Sequence, residues 1–336
     1  MRNWGARLRT DLALCGYAAV TLENPALRVT VLPGRGGDVV EFLHKPTDTD
    51  FCTFLARGLL PAAQARGRGF METYYGGWQE VFPNGGPPSE YGGARFDQHG
   101  EVALRPWECR VTADDEREVA VELEVRCLQT PFRLRRELRL RAGEPALRVR
   151  CTATNEGLVP HPAVWGLHLA FGPPFGRPGC RIVLPDGART EEDAGDHACG
   201  AQLATLAAAP VEGEPTSVTY LTGFRAGRYR VLAPGGVSGI EVEWDAALLP
   251  YLWCWREAGA SVGFPWHGGA YIFGLEPFSS QPNAGLAAAV GNGSALGFLP
   301  GQSHTLQWSA RVLAAGESVA DLDGPSPGEP APTSAV

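Results

Sequence analysis

The sequence lacks the long apolar segments that direct a chain into or across a membrane. The first 20 residues, MRNWGARLRTDLALCGYAAV, contain no continuous apolar region of the signal-peptide type. No stretch approaches the ~18 uninterrupted apolar residues that a transmembrane helix needs. We therefore expect a cytoplasmic protein with no membrane partner.

Basic runs and nucleotide-binding motifs are missing as well. The net charge is −8 and no Lys/Arg-rich stripe is present, which disfavours nucleic acid as a partner. The sequence contains no P-loop, G-x-G-x-x-G or G-x-S-x-G motif. The segment GRGG at 34–37 is predicted to be a turn between two strands, because no helix follows it.

Metal-binding signatures are also absent. The eight cysteines are scattered, and none forms a C-x-x-C pair, so a zinc site or a redox motif is not expected. We interpret them as reduced thiols of a cytoplasmic protein. The spacing of His99, His161, His168 and His267 matches no ligand signature. We therefore predict neither a metal nor a cofactor.

What the chain does contain favours β-structure. Of its 336 residues, 43 are glycine and 28 are proline, which is typical of many short strands joined by turns. Three consecutive segments, 118–127, 132–142 and 145–155, alternate apolar and charged residues with a period of two. This pattern predicts an antiparallel meander with one face on a core. The arginines and glutamates of the other face are interpreted as a solvated surface that pairs across strands.

The predicted fold class is all-β, a large antiparallel β-sandwich with few short helices. Helices are expected only at 60–67 and 283–291. Residues 1–315 are predicted to form one domain, and the Pro/Gly-rich residues 316–336 a disordered tail. The polar, aromatic segment 60–95 is long for a loop in a compact domain, and such loops are often functional. The oligomeric state is left open.

Two histidines are candidate proton-transfer groups. His99 precedes a strand-like run in QHGEVALRPWE, where it is either a turn residue in solvent or a proton-handling group at the rim of a sheet. His168 lies inside the apolar segment VWGLHLAF, where a buried ring needs a partner. On the residues alone, a satisfied core histidine is slightly favoured for His168 over a functional one.

Glu276 is the candidate carboxylate. It ends an apolar strand and precedes Pro277 in GLEPFSSQPNAG, so partial desolvation would raise its pKa toward a value useful for a general base. The alternative, a glutamate leaving the strand into solvent, is favoured for this residue taken alone. Asn84 lies in a predicted Asn-Gly turn. Trp107 and Trp165 are candidates for stacking against a ligand, although most of the tryptophans are expected in the core.

Taken in order, these segments resemble the aldose 1-epimerase family, the galactose mutarotase-like sandwich proteins. The resemblance runs over roughly residues 18–313 and rests on the succession VFPNGG, QHGEVALRPWE, VWGLHLAF, GLEPFSSQPNAG and FLPGQSHTLQWSARV. It implies an enzyme, an isomerase that interconverts the α and β anomers of an aldose in a cleft of one curved sheet. A small-molecule sugar is the implied partner.

The resemblance also implies a role for each matching residue. Glu276 would be the general base at the anomeric hydroxyl, His168 the general acid at the ring oxygen, and His99 a second hydrogen-bond donor near that oxygen. Asn84, Trp107 and Trp165 would contact the substrate. This sequence departs from the family where Gly85 replaces the arginine of an Asn-Arg pair, and where one extra residue precedes Pro282.

Two alternatives remain at this stage. The first is a sugar-binding protein of the same fold without turnover, which the missing arginine favours. The second is a lyase or hydrolase, although a hydrolase usually needs two carboxylates flanking the scissile bond. Glu80, Glu101 and Asp245 have no assigned role that would supply the second one.

Overall fold

The computed structural model describes residues 2–190, 199–236 and 238–313. The predicted tail, 316–336, lies outside these residues. The strands are β1 Arg7–Leu14, β2 Tyr17–Glu23, β3 Leu27–Leu32, β4 Asp38–His44, β5 Thr49–Asp50, β6 Trp78–Val81, β7 Ser89–Tyr91, β8 Ala94–Phe96, β9 Glu108–Asp114, β10 Glu118–Arg126, β11 Phe132–Arg141, β12 Ala146–Asn155, β13 His161–Ala163, β14 Gly166–Phe171, β15 Arg181–Val183, β16 Arg189–Thr190, β17 Ser217–Thr222, β18 Gly227–Leu232, β19 Gly239–Trp244, β20 Tyr251–Ala258, β21 Tyr271–Phe278, β22 Leu296–Phe298 and β23 Ser303–Leu313. The helices are α1 Ala62–Ala65, α2 Phe70–Thr73, α3 Cys199–Leu206 and α4 Leu286–Gly291.

Two large antiparallel sheets form the molecule. The 11-stranded sheet has the order β1-β2-β3-β4-β6-β14-β21-β20-β17-β16, with β5 paired to β4. The 8-stranded sheet has the order β15-β18-β19-β23-β12-β11-β10-β9. One cluster of buried apolar side chains contains residues from both sheets, including Leu123, Leu138, Leu167 and Leu275. The predicted all-β sandwich with few short helices is confirmed.

The predicted meander is β10, β11 and β12, paired in succession. Val119, Val121 and Leu123 are buried on the inner face. On the outer face, charged residues pair across strands as the alternation predicts, for example Arg135 with Glu124. Pairs this exposed contribute little to stability.

One charged residue of the meander points inward. Arg136 is 2% exposed, and its Nη1 lies 3.2 Å from Oε2 of Glu80 on β6 of the other sheet. The indole N–H of Trp165 donates to Oε1 of the same carboxylate at 2.5 Å. The guanidinium also lies over the ring of Trp107, 5.2 Å from its centroid. This buried network therefore connects the two sheets through the core.

The segment after His99 was expected to be a strand and is not. Val102–Leu104 form a single 3-10 turn instead, and the next strand, β9, begins only at Glu108. The apolar residues of this segment fill the core: Val102 is fully buried, and its carbonyl accepts a hydrogen bond from the Trp107 indole. Alternation over so few residues does not distinguish a strand from a buried turn.

Strand β14 lies in the middle of the 11-stranded sheet, and all six of its residues are buried. Leu167 and Leu169 belong to the cluster between the sheets. Because side chains alternate along a strand, His168 between them faces the other side of the sheet. Loops pack over that side of the sheet and shield it from solvent. Among the described residues, no helix is long and apolar enough to cross a membrane.

Candidate active site

His168 and Glu276 face each other on neighbouring strands. β14 pairs with β21 in a register that places Gly166 opposite Phe278 and Ala170 opposite Gly274. The same register puts His168 opposite Glu276, on the sheet face away from the core. Nε2 of the imidazole lies 3.5 Å from Oε1 of the carboxyl group. Their side chains are 6% and 4% exposed, so both are covered although neither belongs to the core.

His99 joins this pair from a loop. Its backbone has φ of 61°, a left-handed conformation that non-glycine residues adopt mainly in turns. Its N–H donates to the carbonyl of Gly86, and the Gly86 N–H donates back to its Nδ1 at 3.3 Å. Because Nδ1 accepts, the ring proton is on Nε2. The ring stands edge-on to that of His168, with centroids 5.2 Å apart.

The three residues line one cavity of about 410 Å³ on this face of the sheet, a volume within the usual range for small-ligand sites. Trp253 forms part of its wall and is stacked on Phe278 at 3.6 Å. The full lining is Phe70, Met71, Tyr74, Gly86, Pro87, Gln98, His99, His168, Val218, Trp253, Trp255, Trp266, Glu276 and Asn283. Among the described residues of this lining, Glu276 is the only carboxylate, and there is no arginine or lysine.

Three buried polar atoms without hydrogen-bond partners belong to residues of this lining. Tyr74 Oη, His168 Nδ1 and Glu276 Oε1 are buried and have no hydrogen-bond partner. Most buried polar atoms in proteins are paired, and leaving one unpaired costs free energy. Three such atoms around one cavity favour a ligand that carries several hydrogen-bonding groups.

Burial moves the pKa values of the site residues toward their uncharged forms. It raises the pKa of Glu276 well above its ordinary range, with no charged partner to oppose the shift. It lowers the pKa of His168 to about 4. The pKa of His99 is lowered well below its ordinary value, first by burial and then by the charge of His168. The shifts of Glu276 and His168 both favour the state in which the shared proton resides on the carboxyl group and neither residue is charged.

Gly274 gives the Glu276 side chain its position. A Cβ on Gly274 would lie well under 3.0 Å from Oε1 and 2.9 Å from the carboxyl carbon of Glu276. The carboxyl group thus leans along the strand over a residue that has no side chain. Ala170, opposite Gly274 on β14, is also small. The two small residues leave the space that the carboxyl group occupies.

Three of the predicted substrate contacts do not line the cavity. The amide of Asn84 donates to the carbonyls of Pro87 and Asp97, and its oxygen accepts the N–H of Leu286. Asn84 therefore holds together the loops that carry Gly86 and His99 rather than binding a hydroxyl group. Trp107 and Trp165 lie in the core, where the indole N–H groups bind Val102 and Glu80.

The cavity instead uses Tyr74, Trp253, Trp255 and Trp266, to which the sequence assigned no individual role. Trp253 and Trp255 share one phase of the segment PYLWCW, and Trp253 is paired directly with Glu276. That alternation was the available signal. Tyr74 and Trp266 come from loops, whose approach to the sheet no local pattern predicts. Within the described parts of the chain, no group of His, Cys, Asp and Glu could hold a metal ion.

Solved structures share this architecture. Two are described as a “putative aldose 1-epimerase”. The Klebsiella pneumoniae protein is 18% identical, with 94% of this chain and 85% of that chain covered and a TM-score of 0.75. The Escherichia coli protein is 20% identical, with 88% and 98% covered and a TM-score of 0.62. A galactose mutarotase-like protein from Clostridium acetobutylicum is 13% identical, with 92% and 99% covered and a TM-score of 0.67.

At these identities the similarity establishes a fold, and the class of the protein is an all-β sandwich of the galactose mutarotase-like type. The chain itself belongs to the family described as “Domain of unknown function (DUF4432)”, which matches residues 15–312. No curated protein matches the chain significantly. Because a fold can host several activities, the function has to be argued from the site.

Proposed function

We propose that the protein is an aldose 1-epimerase that interconverts the α and β anomers of a sugar in this cavity. The observation that carries the proposal is the facing pair of Glu276 and His168, 3.5 Å apart, each with an unpaired polar atom. Mutarotation removes a proton from one oxygen and delivers one to another oxygen bonded to the same carbon. One base and one acid side by side are what this reaction needs.

In the proposed reaction, Glu276 accepts the proton of the anomeric hydroxyl while the C1–O1 bond becomes a carbonyl. The C1–O5 bond breaks, and its electron pair goes to the ring oxygen O5, which takes a proton from His168. Rotation about C1–C2 presents the other face of the aldehyde. Ring closure then returns both protons with the roles of the two side chains exchanged, so the protein ends in its starting state.

The pKa shifts support these roles. Burial raises the pKa of Glu276, which makes its carboxylate a stronger base. Burial lowers the pKa of His168 to about 4, which makes its protonated ring a stronger acid. The reacting state, with the proton on His168 and none on Glu276, is therefore the less populated one, and in it a strong base faces a strong acid. His99 can donate its Nε2 proton to a sugar oxygen, since its Nδ1 accepts from Gly86.

The walls of the cavity suit a sugar ring. Trp253 is held by a hydrogen bond from its indole N–H to the carbonyl of Ser280 at 2.8 Å, while Trp255 and Trp266 pack with ring centroids 5.6 Å apart. A pyranose has apolar C–H faces that stack on such rings, and its edge carries the hydroxyl groups that would pair with the unpaired atoms.

The placement of the other carboxylates argues against a two-carboxylate hydrolase. Glu80 binds Arg136 and Trp165 in the core. Glu101 accepts backbone N–H groups of a neighbouring loop, and Asp245 accepts one within its own turn. None of the three lines the cavity, so among the described residues no second carboxylate faces Glu276 across a bound sugar.

The proposal is tested with purified protein and a panel of free aldoses, aldose 6-phosphates and uronic acids. Polarimetry follows the approach of each pure anomer to equilibrium, and calorimetry measures binding of the same sugars. We expect acceleration and binding with at least one free aldose. Binding without acceleration would instead identify a sugar-binding protein, and release of a reducing sugar from a glycoside would identify a hydrolase.

A further inference from the structure

Tyr74 is a cavity residue that the proposed reaction does not yet use. It directly follows α2 and is 2% exposed, yet its side chain is part of the cavity lining. Its hydroxyl group is buried without a hydrogen-bond partner. Tyr75, the next residue, shows the ordinary case: its hydroxyl donates to Asp38 at 2.7 Å. The hydroxyl of Tyr74 thus requires a separate explanation.

Aromatic neighbours fix the position of the Tyr74 ring. It stacks on Phe70 at 5.4 Å and meets the ring of His168 edge-on at 5.2 Å. Trp255 and Trp266 pack edge-on at 6.2 Å and 6.0 Å. A ring held by four others cannot turn its hydroxyl toward a partner elsewhere. The hydroxyl is therefore preorganised, and a donor that is already in place costs little to use during a reaction.

The unpaired atoms of Tyr74 and Glu276 are a hydrogen-bond donor and an acceptor, but they do not form a hydrogen bond with each other. A tyrosine hydroxyl can donate, and an ionised carboxylate can only accept. A group that both accepts and donates, such as a sugar hydroxyl, would satisfy the two atoms at once. Burial, reinforced by the negative charge of Glu276, raises the pKa of Tyr74 well above its ordinary value. Tyr74 therefore keeps its proton and remains a donor.

We propose that Tyr74 is a further catalytic residue, which donates a hydrogen bond to the anomeric oxygen O1 while Glu276 accepts the proton of that oxygen. The inference rests on the proposed function, in which O1 gains negative charge as its proton leaves. A fixed donor aimed at that atom stabilises the transition state more than the bound sugar. No proton is transferred from Tyr74, so the balance of the reaction is unchanged.

The kinetic test is Tyr74→Phe, which keeps the ring and its packing. We expect kcat to fall ~10²-fold, the usual effect of losing one oxyanion donor, with a smaller increase in KM because the bound sugar also loses this hydrogen bond. Tyr271→Phe is the matched control, because its hydroxyl donates to Pro210 and does not line the cavity. Unchanged kinetics in Tyr74→Phe, or a change in KM alone, would overturn the proposal.

A binding test separates this inference from the proposed function. Calorimetry compares wild-type protein and Tyr74→Phe with D-glucose and D-galactose, and with their 1,5-anhydro alditols, which lack O1. We expect the variant to lose affinity for the aldoses and none for the anhydro alditols. Equal losses for both, or no loss, would overturn the contact with O1. If wild-type protein binds aldoses but accelerates none, the proposed function fails while this contact is still decided by affinity.

Discussion

Two buried glutamates on opposite faces of the same sheet differ in their partners. Glu80 lies on the core face, fully buried, with Arg136 at 3.2 Å and the indole N–H of Trp165 at 2.5 Å. Glu276 lies on the cavity face, 3% exposed, with one oxygen unpaired. The histidine that faces it, His168 at 3.5 Å, is uncharged at neutral pH because burial lowers its pKa to about 4.

The difference separates a structural carboxylate from a chemically available one. A buried charge is tolerated when an opposite charge and hydrogen bonds compensate for its desolvation, and Glu80 has both. The desolvation of Glu276 is not compensated within the protein, and such uncompensated groups occur mainly where a ligand completes the site. Removing one carboxylate at a time distinguishes the two roles.

The largest effect is expected for Glu276→Gln. The amide keeps the shape of the side chain and cannot accept the proton of the anomeric hydroxyl, so we expect the acceleration of mutarotation to fall by ~10²–10⁴-fold. Polarimetry with the preferred sugar measures the change. Sugar affinity from calorimetry should stay within about a factor of ten. Full activity in this variant would remove Glu276 from the mechanism.

Breaking the other carboxylate should affect stability instead. In Glu80→Gln the charge of Arg136 stays buried without its partner, which costs about 3–5 kcal/mol. Urea denaturation measures the free energy of unfolding, and the activity of the fraction that remains folded should be close to normal. A stability near that of wild type would mean that the network does not hold the two sheets together.

Gly274→Ala should displace the Glu276 carboxyl group without removing it, because the added Cβ would overlap Oε1. Misplacing a catalytic group by about 1 Å can cost ~10²-fold in rate, and we expect a loss of kcat of that size. Gly297→Ala is the control, since nothing lies within 4 Å of its added Cβ. Equal activity of the two variants would show that the position of the carboxyl group is not critical.

The pH dependence of kcat/KM reports the shared proton of the pair. As the pH falls through about 4, His168 takes up a proton while Glu276 is already protonated, so the base is lost. We therefore expect the acid limb near pH 4. The alkaline limb, where the pair loses its last proton, should lie well above the ordinary pKa of a glutamate. An acid limb near 6.5 would indicate that His168 is not desolvated.

The smallest expected effect is a gain in stability in Glu276→Gln. Because the folded-state pKa of Glu276 is raised, its contribution to stability is complete below its unfolded pKa and is lost as the pH rises. Glutamine has no such loss, so the variant should melt about 1–2 °C higher for each kcal/mol gained at pH 7. The difference should shrink toward pH 4. A lower Tm at pH 7 would imply an unrecognised partner.

The sequence predicted most of the sandwich because strands of the 8-stranded sheet have one face in solvent. In β10 and β11 the alternation of Val121 or Leu138 with charged neighbours is enough to assign the strands and their faces. Strand β14 is buried on both faces, so alternation could not tell which way His168 points. Its placement depends on loops packing over the sheet.

The same reason limits what could be predicted of the site. Glu276 and His168 are on strands and were assigned through a resemblance of ordered motifs, and the register places them face to face. Trp165 and Asn84 belong to equally suggestive motifs, yet their polar atoms are used by Glu80, Pro87, Asp97 and Leu286. Whether a polar group has a hydrogen-bond partner depends on tertiary packing. The presence or absence of that partner separates the groups that line the cavity from those that support it.

The most direct test of the central claim is two-dimensional exchange NMR of the anomeric protons, recorded for wild-type protein, Glu276→Gln and Gly297→Ala with the same aldose. Uncatalysed exchange is too slow to connect the α and β signals. We expect exchange cross-peaks with wild-type protein and with Gly297→Ala, and none with Glu276→Gln. Cross-peaks of equal strength in all three samples, or in none across the panel of sugars, would contradict the claim.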